Sequence, residues 1–146
     1  MIINDRVDLA MLSLADGVHL GQEELSVEDA RQLAPHLLVG VSTHCLEDIK
    51  NAELEGADYI GCGPTFPSKT KTFDQFAGLD FLKAAHKSTS LPAFAIGGIN
   101  ADNLTEVRQT GFFRIAISQA FADAEDPLEL IRQFRATLTP SDESQQ

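Results

Sequence analysis

The sequence predicts an α/β fold of the TIM-barrel type, with about six of the eight βα units of a full (β/α) barrel present. Three observations carry that expectation. Short runs that are mostly apolar on both faces alternate with helical stretches, the pattern of a parallel sheet joined by crossover helices. The units recur at roughly 20 to 25 residues, the spacing of a barrel. The polar and glycine-rich stretches fall where strands end, which is where a barrel keeps its functional residues. An open doubly wound sheet is the other arrangement that such alternation permits.

The elements follow in order. Ile2-Ile3 is a strand that stops at Asn4-Asp5, and Val7 to Leu14 is a helix. Gly17 to Leu20 is the second strand. Ser26 caps the next helix, with Glu28 and Asp29 in its first turn. Leu37 to Val41 is a strand, followed by a helix from Leu46 to Glu55 that Gly56 closes. Tyr59 to Gly61, Ala93 to Ile96 and Ile115 to Ile117 supply the remaining strands. Leu79 to Lys87, Ala101 to Gln109 and Pro127 to Leu138 supply the remaining helices, the last opened by its proline. Residues 1–138 read as one domain, a partial (β/α) barrel, and residues 139–146 as a disordered polar tail.

Composition narrows the function classes. With 22 acidic and 11 basic residues the formal net charge is −11, which argues against nucleic acid or an anionic membrane as partner. No run approaches a membrane span, and the first residues lack the basic start of a signal peptide, so a cytoplasmic protein is expected. Cys45 and Cys62 stand in neither a CxxC nor a metal-ligand spacing and read as two buried thiols.

Against that acidic background, the stretch Gly61-Cys62-Gly63-Pro64-Thr65-Phe66-Pro67-Ser68-Lys69-Thr70-Lys71 is unusual. A buried strand runs into Gly and Pro, then into hydroxyls and two lysines, the donors and point charges that a phosphate clamp needs. The other strand ends carry Asn4-Asp5-Arg6, Gly21-Gln22-Glu23-Glu24, Ser42-Thr43-His44, Gly97-Gly98-Ile99-Asn100 and Ser118-Gln119. Gly97-Gly98, lacking Cβ, lets backbone N–H groups approach an anion, and the following helix adds its N-terminal dipole. Asp5 and Glu24 end neighbouring strands and offer two carboxylates across one cleft, a donor set suited to Mg²⁺ with substrate phosphate oxygens. His19, His36 and His86 receive no role; His19 reads as a packed residue of an apolar strand.

Taken together, Ile3-Asn4-Asp5-Arg6-Val7-Asp8-Leu9-Ala10, Asp16 to Gln22, Gly40-Val41-Ser42-Thr43-His44, Gly56 to Gly61, Gly63-Pro64 through Lys71 and Ala95-Ile96-Gly97-Gly98-Ile99 resemble the thiamine-phosphate synthase (thiamine-phosphate pyrophosphorylase) family. The resemblance runs to about residue 138. It implies a Mg²⁺-dependent transferase of thiamine biosynthesis acting on two small molecules. Hydroxymethylpyrimidine diphosphate loses pyrophosphate, and the thiazole nitrogen of hydroxyethylthiazole phosphate attacks the resulting cation. Carried over by position, Asn4 binds the pyrimidine diphosphate, while Asp5 and Glu24 ligate Mg²⁺. Ser42 and Lys71 hold the diphosphate and are the residues assigned to catalysis. Ser68 and Thr70 contact the thiazole phosphate, whose site Gly98 and the Ser118-Gln119 backbone complete.

The sequence departs from the family pattern in places. Glu24 stands where Asp is usual, Ser68 where Thr is frequent and Gln119 where Ser is frequent, and Gly111-Phe112-Phe113-Arg114 replaces a Gly-Ala-Asp-Gly turn. The family's first two βα units, with a Gln/Arg/Lys segment that grips the pyrimidine diphosphate, have no counterpart here. The expectation is a piece of a longer product with an N-terminal segment missing, or a chain that associates with itself through open sheet edges. Two other readings use the same residues: a thiazole tautomerase-like isomerase with His44 as base, and a non-catalytic phospholigand-binding remnant.

Overall fold

The computed structural model describes residues 1–67 and 76–139. Its strands are β1 (Ile2–Asn4), β2 (Gly17–Leu20), β3 (Leu38–Thr43), β4 (Tyr59–Cys62), β5 (Ala93–Ile96) and β6 (Ile115–Ala116). They form one six-stranded sheet in chain order, every neighbouring pair parallel. A doubly wound sheet reverses its order at a switch point, so that alternative is out. Unreversed order with crossovers of one hand puts all helices on one side and curls the sheet into a barrel wall.

The helices are α1 (Val7–Leu12), α2 (Val27–Leu33), α3 (Leu46–Leu54), α4 (Gly78–Ser88), α5 (Leu104–Gln109), α6 (Gln119–Ala122) and α7 (Pro127–Leu138). Their ends have local causes. Ser26 caps α2 by accepting from the Asp29 amide, and Asp126 caps α7 by accepting from Leu128 and Glu129 amides. Gly56, at φ +81°, follows α3 in the left-handed region that lets a chain leave a helix. The helix expected from Ala101 opens instead at Leu104. Side chains satisfy the amides of the turn before it: Asn100 Oδ1 accepts from the Asp102 and Asn103 amides, and Asn103 Oδ1 from the Asn100 amide. With α5 opening at Leu104, the expected helix dipole is set back from Gly97-Gly98.

Strand alternation divides the sheet into two faces. Val18, Leu20, Val39, Val41, Ile60, Cys62 and Ala95 point outward and pack, buried, against Val7, Ala10, Val27, Ile49, Leu82, Val107 and Phe134 of the helices. The inner face is open: Ile2, Leu38 and Ile96 are 42%, 48% and 41% exposed. Among the described residues β1 and β6 have no further strand beside them.

A clip ties the bottom of this wall together. The Arg31 guanidinium donates to the carbonyls of Leu37 and Gly56 at 2.8 and 3.0 Å and to Asp58 at 2.6 Å, and Asp58 also accepts from the Val39 amide. Asp58→Ala leaves the Val39 amide without its side-chain acceptor and the half-buried Arg31 without its counter-charge. We expect a loss of about 1–3 kcal/mol, read as a lower urea midpoint at unchanged slope.

The two thiols differ, contrary to the sequence expectation. Cys62 is buried on β4, where burial pushes its thiol upward and keeps it neutral, but Cys45 is exposed just before α3. Its place is set by the amide ladder: the His44 and Cys45 amides donate to Asp48 Oδ2 at 2.7 and 3.2 Å. A thiol reagent should label Cys45 in the native protein and Cys62 only on unfolding.

Candidate active site

The C-terminal ends of the strands converge on one edge of the sheet. At the end of β1, Asp5 adopts φ +65°, a left-handed conformation that Asp tolerates better than most residues, and its amide donates to the His19 carbonyl at 2.8 Å. Asp5 lines a cavity of about 410 Å³ together with Glu24, Arg6, Val7, Asp8, Met11, Leu25 and Leu33. The Glu24 carboxylate folds over Gly21, where a Cβ would stand 2.2 Å from Oε2. Arg6 is committed elsewhere in the cavity: Nε and Nη2 bind Asp8 at 2.8 and 2.6 Å, and that bond holds the Asp8 carboxyl down at about 2. The described part of this cleft is therefore rich in carboxylate, with its one arginine neutralised. Two hard oxygen donors on one cavity suit Mg²⁺, which keeps waters or phosphate oxygens as its other ligands. Among the described residues no cluster of three or more metal-ligating side chains occurs.

The inner face of the sheet carries a polar row. His19 Nε2 lies 3.0 Å from Ser42 Oγ, and His19 Nδ1 lies 3.2 Å from the Tyr59 hydroxyl. Register explains the room for these rings. Gly40 sits between His19 and Tyr59 on β3, and a Cβ there would meet Tyr59 Cζ at 2.0 Å. Gly61 stands opposite Ser42, and its Cβ would meet His19 Cε1 at 3.3 Å. Gln22 donates to the Ser42 carbonyl at 2.5 Å, fastening the β2 loop to the end of β3. Asn4 occupies the same row on β1, in register with His19.

The β4 and β5 ends are joined by backbone. Thr65 donates to the Ile96 carbonyl through both its amide and its hydroxyl, each at 2.9 Å, and the Phe66 amide donates to the Gly97 carbonyl at 3.0 Å. Gly97 and Gly98, at φ +95° and +64°, make this approach possible. A Cβ on Gly98 would stand 2.5 Å from the Pro67 carbonyl oxygen. The Gly98 carbonyl accepts from Asn103 Nδ2 at 3.0 Å. Ser118, two residues past β6, opens α6 without a side-chain cap bond, while Gln119 turns its amide along α6 to Asp123 at 2.6 Å. Ser68, Lys69, Thr70 and Lys71 lie outside the described residues, as does the tail from Pro140.

Residues 1–121 match the family model described as TMP-TENI, thiamine monophosphate synthase. This chain belongs to the thiamine monophosphate synthase family. It is 50% identical over 127 residues to a thiamine-phosphate synthase of Rhodopirellula baltica, covering 83% of this chain and 34% of the relative. It is 46% identical over 127 residues to one of Prochlorococcus marinus, covering 86% of this chain and 37% of that protein. A thiamine phosphate pyrophosphorylase structure from Pyrococcus furiosus superposes with a TM-score of 0.82 at 40% identity, covering 94% of this chain and 66% of that one. A 3-hexulose-6-phosphate synthase structure shares the fold, with a TM-score of 0.65 at 19% identity over 91% of this chain and 67% of that one. The chain thus spans little more than a third of the length of the first two relatives.

Within the family fold, Asn4, Asp5, Glu24, Ser42, Gly98, Ser118 and Gln119 all lie at strand ends of one sheet edge. Asp5 and Glu24 both line the cavity beside α1 and α2, and Ser42 lies on the inner face of the sheet. Sequence reading left out His19 and Tyr59. A signal for them existed in the glycines at 17, 40 and 61, which alternate with His19 and Tyr59 as small and large residues on one barrel face.

Proposed function

We propose that this chain carries a transferase site that joins hydroxymethylpyrimidine diphosphate to hydroxyethylthiazole phosphate, giving thiamine phosphate and pyrophosphate, as a cytoplasmic step of thiamine biosynthesis. One observation carries the reading: two carboxylates, Asp5 and Glu24, line a single cavity at the strand-end edge that also bears Ser42 and the Gly97-Gly98 turn. An acidic cleft admits a diphosphate only with a cation, and Asp5 and Glu24 would hold Mg²⁺. Bound there, Mg²⁺ would supply charge neutralisation for a departing diphosphate.

The chain's own residues orient and stabilise. Asn4 donates its side-chain amide to the pyrimidine diphosphate, and the Ser42 hydroxyl donates to a diphosphate oxygen. The Gly98 turn and the backbone at Ser118-Gln119 receive the thiazole phosphate, with Ser68, Thr70 and Lys71 assigned to the two anions by family position. The pyrimidine carbon–oxygen bond breaks with its electron pair going to pyrophosphate, and the thiazole nitrogen supplies the pair for the new bond. Positioning and electrostatics do most of the work, and no side chain need shuttle a proton. The open edges at β1 and β6 are covered in the working enzyme, by further βα units or by a second copy; sedimentation of the purified chain tells these apart.

A second reading has one observation in its favour. His44 Nδ1 donates to the Gly63 carbonyl at 2.6 Å, which leaves Nε2 as a lone-pair base at the end of β3. Assaying both reactions with the wild type and His44→Ala separates the two. Under the transferase reading the variant keeps most thiamine phosphate formation; under the isomerase reading all turnover is lost.

A further inference from the structure

We infer that His19 is a positioning residue for Ser42: held by Tyr59 in the tautomer that carries its proton on Nε2, it donates to Ser42 Oγ and leaves the serine proton for a phosphate oxygen. The assignment rests on the transferase reading for the identity of the anion, and on geometry for the rest.

His19, Ser42 and Tyr59 form a chain of two hydrogen bonds on the inner wall, 3.0 and 3.2 Å long. Each hydroxyl can donate or accept, so a neutral His19 ring has two proton arrangements toward Ser42 and Tyr59. In one, Ser42 gives its proton to His19 Nε2, as a nucleophile does to a base. In the other, the Tyr59 hydroxyl donates to Nδ1, Nε2–H donates to Ser42, and the serine O–H is left to point elsewhere. A phenol is several units more acidic than an alkyl hydroxyl and is the stronger donor, so the second arrangement wins. Tyr59 also stays protonated, since burial and then Asp58 push its phenol upward.

The wall is shaped for this chain. Gly40 and Gly61 leave the space that the two rings fill, and the rings lie 5.5 Å apart, tilted by 32°. Phe94 closes the far side of Tyr59 edge-on at 5.8 Å. Gln22 holds the Ser42 backbone from the loop side. Such a network restricts the rotation of the serine hydroxyl, and a donor fixed in advance binds an anion better than one that must be ordered on binding.

Two measurements test the assignment. Nitrogen-15 NMR of the histidine rings, read without ligand, gives the tautomer directly. We expect Nε2–H for His19 in the wild type and a mixture of tautomers in Tyr59→Phe. Calorimetry with inorganic pyrophosphate and Mg²⁺ then reads the donor. His19→Ala and Ser42→Ala should each weaken binding by about tenfold, and the double variant should be no weaker than Ser42→Ala alone. His19→Gln, whose amide can donate near the Nε2 position, should recover most of the affinity. His19 as Nδ1–H in the wild type, or losses that add in the double variant, would overturn the assignment. Absence of pyrophosphate binding in the wild type counts against the transferase reading instead, and the tautomer spectrum then decides the role of His19 on its own.

Discussion

Asp5→Asn is expected to lower kcat/KM for thiamine phosphate formation by about 100-fold or more and to raise the Mg²⁺ concentration needed for half-maximal rate. The substitution is unusually clean at this position. Asp5 sits at φ +65°, and Asn is among the few residues that tolerate that conformation, so the turn and its amide bond to the His19 carbonyl survive. What changes is one negative charge on the cavity shared with Glu24. A melting temperature close to wild type with a lost Mg²⁺ response assigns the effect to the metal. A variant that keeps both rate and Mg²⁺ response would remove Asp5 from the ligand set.

Gly98→Ala is expected to raise KM for the thiazole phosphate and to cost about 1–3 kcal/mol of stability. Two effects add there. The residue holds φ +64°, and its new Cβ would press on backbone carbonyl oxygens of Pro67 and Phe66 at 2.5 and 2.7 Å, which have no rotamer to yield. Relief requires the β4 loop to move away from the β5 loop, opening the corner assigned to the phosphate. Gly56→Ala is the control. It carries the same left-handed strain at φ +81° with nothing within 4 Å of a Cβ, so it should cost about 1–2 kcal/mol and leave KM unchanged. Equal KM shifts in both variants would mean that the Gly98 effect is general loss of stability.

The strands were legible because they are short, mostly apolar runs bounded by turn residues. Their order was not: neighbour pairing is a long-range fact, and alternating elements fit a doubly wound sheet as well as a barrel. The strand-end residues could be read because glycines, carboxylates and hydroxyls interrupt apolar runs at the same point in unit after unit. Where reading failed, the cause was a side chain acting on backbone or a partner across the sheet. Asn100 and Asn103 fasten the turn before Leu104 through side-chain bonds to the Asn100, Asp102 and Asn103 amides, a local arrangement that apolar periodicity does not show. The four-residue α6 is shorter than any periodicity could reveal. His19 looked like a packed strand residue, and only the register that brings Ser42 and Tyr59 to its two ring nitrogens gives it a chemical role.

The most direct test is to incubate this chain, and any longer product that its gene encodes, with hydroxymethylpyrimidine diphosphate and hydroxyethylthiazole phosphate, with and without Mg²⁺. Thiamine phosphate and pyrophosphate should appear one for one, only when Mg²⁺ is present, and at a rate that Asp5→Asn collapses. No product from any of these proteins, or product formation indifferent to Asp5, would contradict a transferase site on this sheet edge.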